Sequence, residues 1–231
     1  MKSSDLLIII PAYNEEGSIE NVVNNIIRNY SQYDYVIIND GSKDRTSAIC
    51  HANGYNIVDL PVNLGLAGAF QTGLRYAYEQ GYKKAVQFDA DGQHLPEYIS
   101  VLEAKMNEGY EMVIGSRFVT EKRETSLRMM GNILISAAIK LTTGKTINDP
   151  TSGMRMFSEG LIKEFALNIN YGPEPDTVSY LMRHGVKVAE AQVRMEERQA
   201  GESYLTLSRS IQYMTHMFVS ILIIQNFRKR G

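Results

Sequence analysis

Asp89-Ala90-Asp91 follows the apolar run Ala85–Phe88, so a strand ends in two carboxylates one residue apart. Like charges that close oppose folding unless a cation lies between them. A hard divalent ion, Mg²⁺ or Mn²⁺, accepts one or two carboxylates and keeps places for substrate phosphate oxygens. Gln93, two residues on, can add an amide oxygen. The same residues also suit an Asx turn that closes a strand, and Asp-x-Asp alone leaves both readings open. His94 adjoins the cluster, and a ring hydrogen-bonded within the loop is its more ordinary role than metal ligand or base. The four histidines are scattered and have no zinc-ligand spacing. The second set of chemical groups is cationic. Arg117 follows the apolar run Met112–Gly115, Arg128 begins a helical pattern with Asn132 one turn later, and Arg198 lies in the polar stretch Arg194–Leu207. A guanidinium fork grips phosphate in two places, although Arg117 or Arg128 taken alone reads as a solvated surface side chain.

The elements that must position these groups alternate. Strands are expected at Leu6–Ile10, Tyr35–Ile38, Asn56–Leu60, Lys84–Phe88 and Met112–Gly115. Helices are expected at Ser18–Tyr30, Asp44–Ala52, Leu66–Gln80 and Pro96–Asn107, the first with Ile19, Val22, Val23, Ile26 and Ile27 on one face. This alternation predicts a parallel, doubly wound sheet, in which ligands bind beyond the carboxyl ends of the strands. The polar clusters fall there: Pro11–Glu16, Asn39–Ser42, Asn63–Gly65, Asp89–His94 and Ser116-Arg117 each follow a strand. The second half is less regular. A helix is expected over Leu127–Thr143, a loop entering a strand over Asp149–Phe157, a strand over Val186–Val193 and a loop over Arg194–Leu207.

The 231 residues suit one α/β domain, with 44% hydrophobic and 22% charged residues as in soluble globular proteins. Lys and Arg number 24 against 26 Asp and Glu, a net charge of −2, so phosphate must be held by local arginines and a general nucleic-acid binder is disfavoured. A single cysteine, Cys50, excludes an intrachain disulfide; it reads as a small buried residue in a reducing, cytosolic compartment. The run Leu6–Ile10 is too short for a signal peptide.

Taken in order, Pro11-Ala12-Tyr13-Asn14-Glu15, Asn39-Asp40-Gly41-Ser42, Asn63-Leu64-Gly65 and Asp89-Ala90-Asp91-Gly92-Gln93-His94 resemble the successive signatures of family-2 inverting glycosyltransferases with the GT-A fold. Gly115-Ser116-Arg117-Phe118, Asp149-Pro150-Thr151-Ser152-Gly153-Met154-Arg155 and Arg198-Gln199-Ala200-Gly201-Glu202-Ser203 resemble its polyprenyl-phosphate branch, the dolichyl-phosphate mannosyltransferase-like enzymes and their undecaprenyl-phosphate relatives. The similarity spans nearly all of residues 5–205. It implies a GT-A catalytic domain over residues 1–205, a Rossmann-like, mostly parallel sheet flanked by helices, followed at 206–231 by a C-terminal membrane-proximal helix. It implies that Pro11, Tyr13, Glu15 and Asp40 line the nucleotide site, with Asp40 reading the base edge. Asp89 and Asp91 then approach ribose and metal, and Gln93 completes the Mg²⁺ or Mn²⁺ shell. Arg117 and Arg128, with Asn132 as a further donor, face the acceptor phosphate, and Arg198 closes over the sugar diphosphate. The chain departs from the pattern at Asn39, where the family usually carries an acid, at Asn132, where relatives often carry Ser, and at Tyr204, where many carry Lys.

The implied reaction is metal-dependent, inverting transfer of a sugar from a nucleotide sugar, UDP-glucose or UDP-N-acetylglucosamine ahead of GDP-mannose, to a polyprenyl (undecaprenyl) phosphate. The product would supply sugar for cell-wall or surface polysaccharide. Asp91, Arg117, Arg128 and Arg198 carry the catalysis in that reading. The tail Met217–Ile224 spans only ~12 Å as helix against a hydrocarbon core of ~30 Å. An interfacial helix with Ile211, Met214, Phe218, Ile221, Leu222 and Gln225 near one stripe, ending in Arg228-Lys229-Arg230, is one expectation; a helix buried in a core or an oligomer interface is the other. Many relatives continue into transmembrane helices, so the expected setting is peripheral, on the inner face of the plasma membrane, with a small membrane subunit or a homo-oligomer as partner. Three alternatives remain. A transferase acting on a saccharide hydroxyl would need a carboxylate base such as Glu174 or Asp176. A sugar nucleotidyltransferase would want a Gly-rich basic loop where Pro11–Glu15 stands. A non-catalytic subunit would not need the acids and arginines.

Overall fold

The computed structural model describes residues 3–121, 127–168, 172–196 and 207–226. The first half alternates as expected: β1 (Leu6–Ala12), α1 (Ile19–Asn29), β2 (Asp34–Asn39), α2 (Thr46–Ala52), β3 (Ile57–Asp59), α3 (Gly65–Glu79) and β4 (Lys84–Gln87). A 3₁₀ turn at Pro96–Tyr98 leads into α4 (Ile99–Asn107), then β5 (Met112–Ser116) and α5 (Leu127–Thr143). The rest comprises β6 (Arg155–Ser158), α6 (Glu159–Leu167), α7 (Pro175–Arg183), β7 (Val188–Gln192) and α8 (Leu207–Leu222), with a closing 3₁₀ turn at Ile224–Asn226.

The strands form one seven-stranded sheet in the order β3-β2-β1-β4-β6-β5-β7. β3, β2, β1 and β4 are mutually parallel, as are β5 and β7. β6 is antiparallel to both its neighbours, with Arg155 opposite Gln87 of β4 and Ile114 of β5. The reversal has a consequence for the site. β6 begins at the edge where its neighbours end, so the loop before it, Asp149–Met154, joins the loops that follow β1, β2, β4 and β5.

Alternation along β1 sends Leu7 and Ile9 into one core and Leu6, Ile8 and Ile10 into the other, as the two-residue period of a strand requires. α1 covers the second core with Ile19, Val22, Val23 and Ile26. α3 lies hard against β1 on the first: a Cβ on Gly73 would sit 2.2 Å from Ile9 Cγ2. Two helices went unread in the sequence. α6 follows β6 without a loop, marked only by its N-cap Ser158, whose hydroxyl accepts from the Leu161 N–H; α7 is marked only by Pro175 in its first turn. α8 packs on α5 and α7, and Met217 and Ile221 belong to the same core as β1. Its buried side carries Met217, Ser220 and Ile221, and Gln225 of the closing turn is buried too, whereas Phe218, placed by the sequence on that stripe, is 39% exposed.

Candidate active site

Two cavities open at the carboxyl edge of the sheet. The first, about 510 Å³, is lined by Pro11, Tyr13, Glu15, Asp40, Asp89 and Asp91 among others, so the six residues assigned to nucleotide-sugar binding come together in one space. The loop after β1 turns through Asn14 in the left-handed region (φ 57°). It is clasped by the segment leading into α2 and by that helix's first residue: Asn14 N donates to Ser42 Oγ (3.0 Å), Glu15 N to Thr46 Oγ1 (2.8 Å) and Glu16 N to Asp44 Oδ2 (3.0 Å). Asp40 is buried, and its Oδ1 accepts from Leu64 N at 2.7 Å.

Of the two readings left open by the sequence, Asp91 makes the turn, and the other rests on where both acids lie. Asp91 Oδ1 accepts from Gln93 N at 3.0 Å, an Asx turn completed by Gly92 at φ 81°, yet both carboxylates also face the first cavity. Among the described residues no group of three or more His, Cys, Asp and Glu side chains is placed to hold a metal. Two carboxylates therefore offer a partial oxygen shell, which fits an ion such as Mg²⁺ or Mn²⁺ that draws its remaining ligands from phosphate and water. Gln93 lines the second cavity rather than the first, and its Nε2 donates to Glu196 O at 3.4 Å. His94 is structural. Its Nδ1 accepts from Asp89 N at 2.9 Å, its ring meets Phe88 edge-on at 5.4 Å, and it is buried. In the neutral ring this bond leaves the proton on Nε2, 3.5 Å from Asp89 Oδ2.

The second cavity, about 390 Å³, shares Asp89 with the first and adds Arg117, Asn132, Thr151, Gly153 and Tyr213. Gly153 lets this loop approach Asp89 closely, since a Cβ would fall 2.7 Å from Asp89 Oδ2 and push the carboxylate aside. Arg117 is held in a fork by Asp149: Nε to Oδ2 at 2.7 Å and Nη2 to Oδ1 at 2.9 Å. That charge-assisted pair raises the Arg117 pKa, against the opposing effect of burial. Asp149 is fully buried, while the Arg117 side chain keeps 36% of its exposure, so the cation faces the cavity and the anion does not. Asn132 lines the cavity, but its Nδ2 already donates to Asp149 Oδ1 and Thr151 Oγ1, both at 2.9 Å. The expected further donor to phosphate is thus spent on Asp149, and the buried group left without a partner is its carbonyl Oδ1. Glu190 of β7 fixes the loop from behind, accepting from Asn148 N at 2.7 Å and Asp149 N at 2.8 Å.

Sequence reasoning quoted Asp149 and Gly153 inside a motif without giving either a role. The only local signal for Asp149 was an acid just before Pro150. Arg155 was likewise missed; it is buried, and its guanidinium donates to the carbonyls of Ser152 (2.8 Å) and Pro150 (2.7 Å), bracing the same loop. Burial lowers its pKa. Arg128 lies in the first turn of α5, but its side chain, like all of Arg198, lies outside the described residues. Glu174 and Asp176, the bases a hydroxyl acceptor would need, are engaged by α8 and the turn after it: Tyr213 OH donates to Glu174, and Ser220 Oγ and Gln225 Nε2 donate to Asp176 Oδ2 at 2.6 and 2.8 Å.

Comparison with known proteins agrees with this geometry. The sequence profile described as glycosyl transferase family 2 matches residues 7–165. The UDP-N-acetylglucosamine–dolichyl-phosphate N-acetylglucosaminyltransferase of Methanococcus voltae is 37% identical over 179 residues, covering 68% of this chain and 71% of that protein. The polyprenol monophosphomannose synthase of Mycolicibacterium smegmatis is 26% identical over 213 residues, covering 87% and 80%. Among solved structures, glucosyl-3-phosphoglycerate synthase of Mycobacterium tuberculosis, crystallised with Mn²⁺, UDP and phosphoglyceric acid, superposes with a TM-score of 0.71 at 21% identity, covering 98% of this chain and 80% of that one. This last likeness establishes the GT-A-type fold.

Proposed function

The chain belongs to glycosyl transferase family 2, and from that premise we propose that this glycosyltransferase moves a sugar from a nucleotide sugar to a polyprenyl phosphate. The carrying observation is that an acid-lined cavity and an arginine-bearing cavity meet at Asp89. UDP-N-acetylglucosamine and UDP-glucose are the favoured donors, ahead of GDP-mannose, in keeping with the name of the 37% identical relative.

Pro11, Tyr13, Glu15 and Asp40 would bind the nucleoside, and Asp40 would accept from the base. Asp89 and Asp91, with Gln93, would hold Mg²⁺ or Mn²⁺, which when bound supplies Lewis-acid charge at the leaving diphosphate. The acceptor phosphate is ionised near neutral pH and needs no general base. Its oxygen would attack the anomeric carbon opposite the leaving diphosphate, inverting that centre. Arg117, pre-aimed by Asp149, would orient the nucleophile and offset repulsion between the two phosphates. Arg128 would be the second acceptor-phosphate cation, and Arg198 would close over the diphosphate.

The acceptor is a membrane lipid, and among the described residues no helix is long and apolar enough to cross a membrane. Peripheral contact on the inner face would use α5 and α8. Met130, Ile133, Leu134 and Leu141 of α5 and Phe218 and Val219 of α8 are exposed, and α5 also supplies Met129 and Asn132 to the second cavity. The test is incubation with labelled UDP-glucose, UDP-N-acetylglucosamine or GDP-mannose, undecaprenyl phosphate and Mg²⁺ or Mn²⁺. Label should enter the organic phase as a mild-acid-labile product, and Asp91→Ala should abolish it. Acid-stable product, or transfer only to sugar hydroxyls, would reject the phosphate acceptor.

A further inference from the structure

Asn39, the last residue of β2, is buried and has both ends of its carboxamide in use. Its Nδ2 donates to Asp59 Oδ1 at 2.6 Å, and its Oδ1 accepts from Ser42 N at 3.2 Å. The pairing is built by sheet register, since Asn39 of β2 stands opposite Asp59 of β3. Asp59 is the hub of a small polar network. Ser47 Oγ donates to the same Oδ1 at 2.9 Å, and His51 Nε2 lies 2.7 Å from Oδ2. Burial alone would raise the Asp59 pKa, but the bonds from Asn39, His51 and Ser47 outweigh it and the net shift is downward, so an anion stands beside Asn39.

The other end of the amide reaches the nucleotide side. Ser42, whose N–H Asn39 accepts, receives Asn14 N on its own Oγ at 3.0 Å, and Asn14 Oδ1 accepts from Lys43 N at 2.8 Å. Asn14 stands between Tyr13 and Glu15, and Asp40 follows Asn39; all three flanking residues line the first cavity. The turn has little slack. Gly41 sits at φ +66°, and a Cβ there would come within 2.8 Å of Asn63 N and Val62 C.

We propose that Asn39 is a positioning residue that ties the Asp59 anion on β3 to the Asp40–Ser42 turn and thereby sets the nucleotide-binding loops, and that it must be an amide because Asp59 already supplies the acid. This rests on the nucleotide-sugar reading of the first cavity. A carboxylate at 39 could still accept from Ser42 N but would set an anionic oxygen 2.6 Å from Asp59 Oδ1, a repulsive contact between two acceptors that only a shared proton relieves. The acid and the amide are exchangeable between the two strands; what the network needs is one of each.

The test is a swap cycle of wild type, Asn39→Asp, Asp59→Asn and the double variant, each checked for folding by circular dichroism. UDP and GDP binding with Mn²⁺ is measured by calorimetry, and KM and kcat for the nucleotide sugar in transfer. Asn39→Asp should weaken nucleotide binding and raise KM about tenfold with kcat little changed, and the double variant should recover to within about threefold of wild type, the size of coupling expected of contacting residues. If Asn39→Asp fails to fold, recovery of folding and binding in the double variant still supports the exchange. Asn39→Asp binding as tightly as wild type, or a double variant no better than Asn39→Asp, overturns the inference and leaves the nucleotide reading intact. Wild type binding neither nucleotide overturns both.

Discussion

Asp149 is the residue on which the second cavity turns. Its carboxylate fills with donors from Arg117 and Asn132 and has no exposure of its own. In Asp149→Asn one oxygen becomes an NH₂ group facing one of those donors, and Arg117 loses its counter-charge. Breaking a fully buried pair costs about 3–5 kcal/mol, but half-exposed Arg117 can turn to water, so about 1–3 kcal/mol is expected here. Transfer should fall about 10²-fold through a misaimed guanidinium, while nucleotide affinity, read by calorimetry, stays unchanged. Equal loss on both sides would show that Asp149 holds the whole site and not the acceptor half. At this scale the acids were legible because two carboxylates closing an apolar run conflict with burial unless something uses them. Asp149 was not, because its importance lies in being fully buried beneath a cation thirty-two positions away. Asn132 was half legible: it lines one cavity with Arg117, but its donor is spent on Asp149 and Thr151.

The elements of the first half were readable because each strand is a short apolar run closed by a polar turn and α1 carries a clear 3.6-residue stripe. The direction of β6 was not, since Arg155–Ser158 has the same composition whichever way it runs, and only pairing with β4 and β5 decides it. Contact between α5 and α8 was equally hidden, and one small residue sits at its tightest point. A Cβ on Gly131 would fall 1.4 Å from Met214 Sδ, and Met214 lines the second cavity. Gly131→Ala should therefore displace the Met214 thioether or spread the helices, at a cost of about 1–3 kcal/mol for overpacking, despite alanine's better helix propensity. Chemical denaturation would read it. Met214→Ala in the same chain should restore part of the loss, because the clash is between these two groups; additive losses would mean that Gly131 matters for another reason.

At the scale of the whole molecule, two properties follow from where charge and apolar surface lie. Asp34, Asp44 and Asp59 all have pKa values below the ordinary 3.8 because hydrogen bonds to each carboxylate outweigh the effect of burial. A carboxylate whose folded pKa is depressed stabilises the fold above the unfolded value and loses that contribution as pH falls through the folded one. The three belong to the β1–β3 half, so unfolding monitored from pH 6 downward should hold level until about pH 4 and then weaken, with nucleotide binding lost before the α5–α8 core opens. The apolar surface is concentrated elsewhere. On α5, Met130, Ile133, Leu134 and Leu141 form an exposed stripe at helical spacing, on the helix that delivers Met129 and Asn132 to the second cavity. The proposed polyprenyl phosphate acceptor would be taken at a bilayer surface, and an exposed apolar stripe beside the second cavity suits that use. Burying an aliphatic side chain gains about 1.5–3 kcal/mol, so Ile133→Glu with Leu134→Glu should lower partition onto anionic phospholipid vesicles by about 10²-fold or more. Transfer to undecaprenyl phosphate in vesicles should fall with it, while transfer to a short-chain, water-soluble polyprenyl phosphate persists. Equal loss on both acceptors would place the stripe in the folding core instead, and no loss on either would remove α5 from membrane contact.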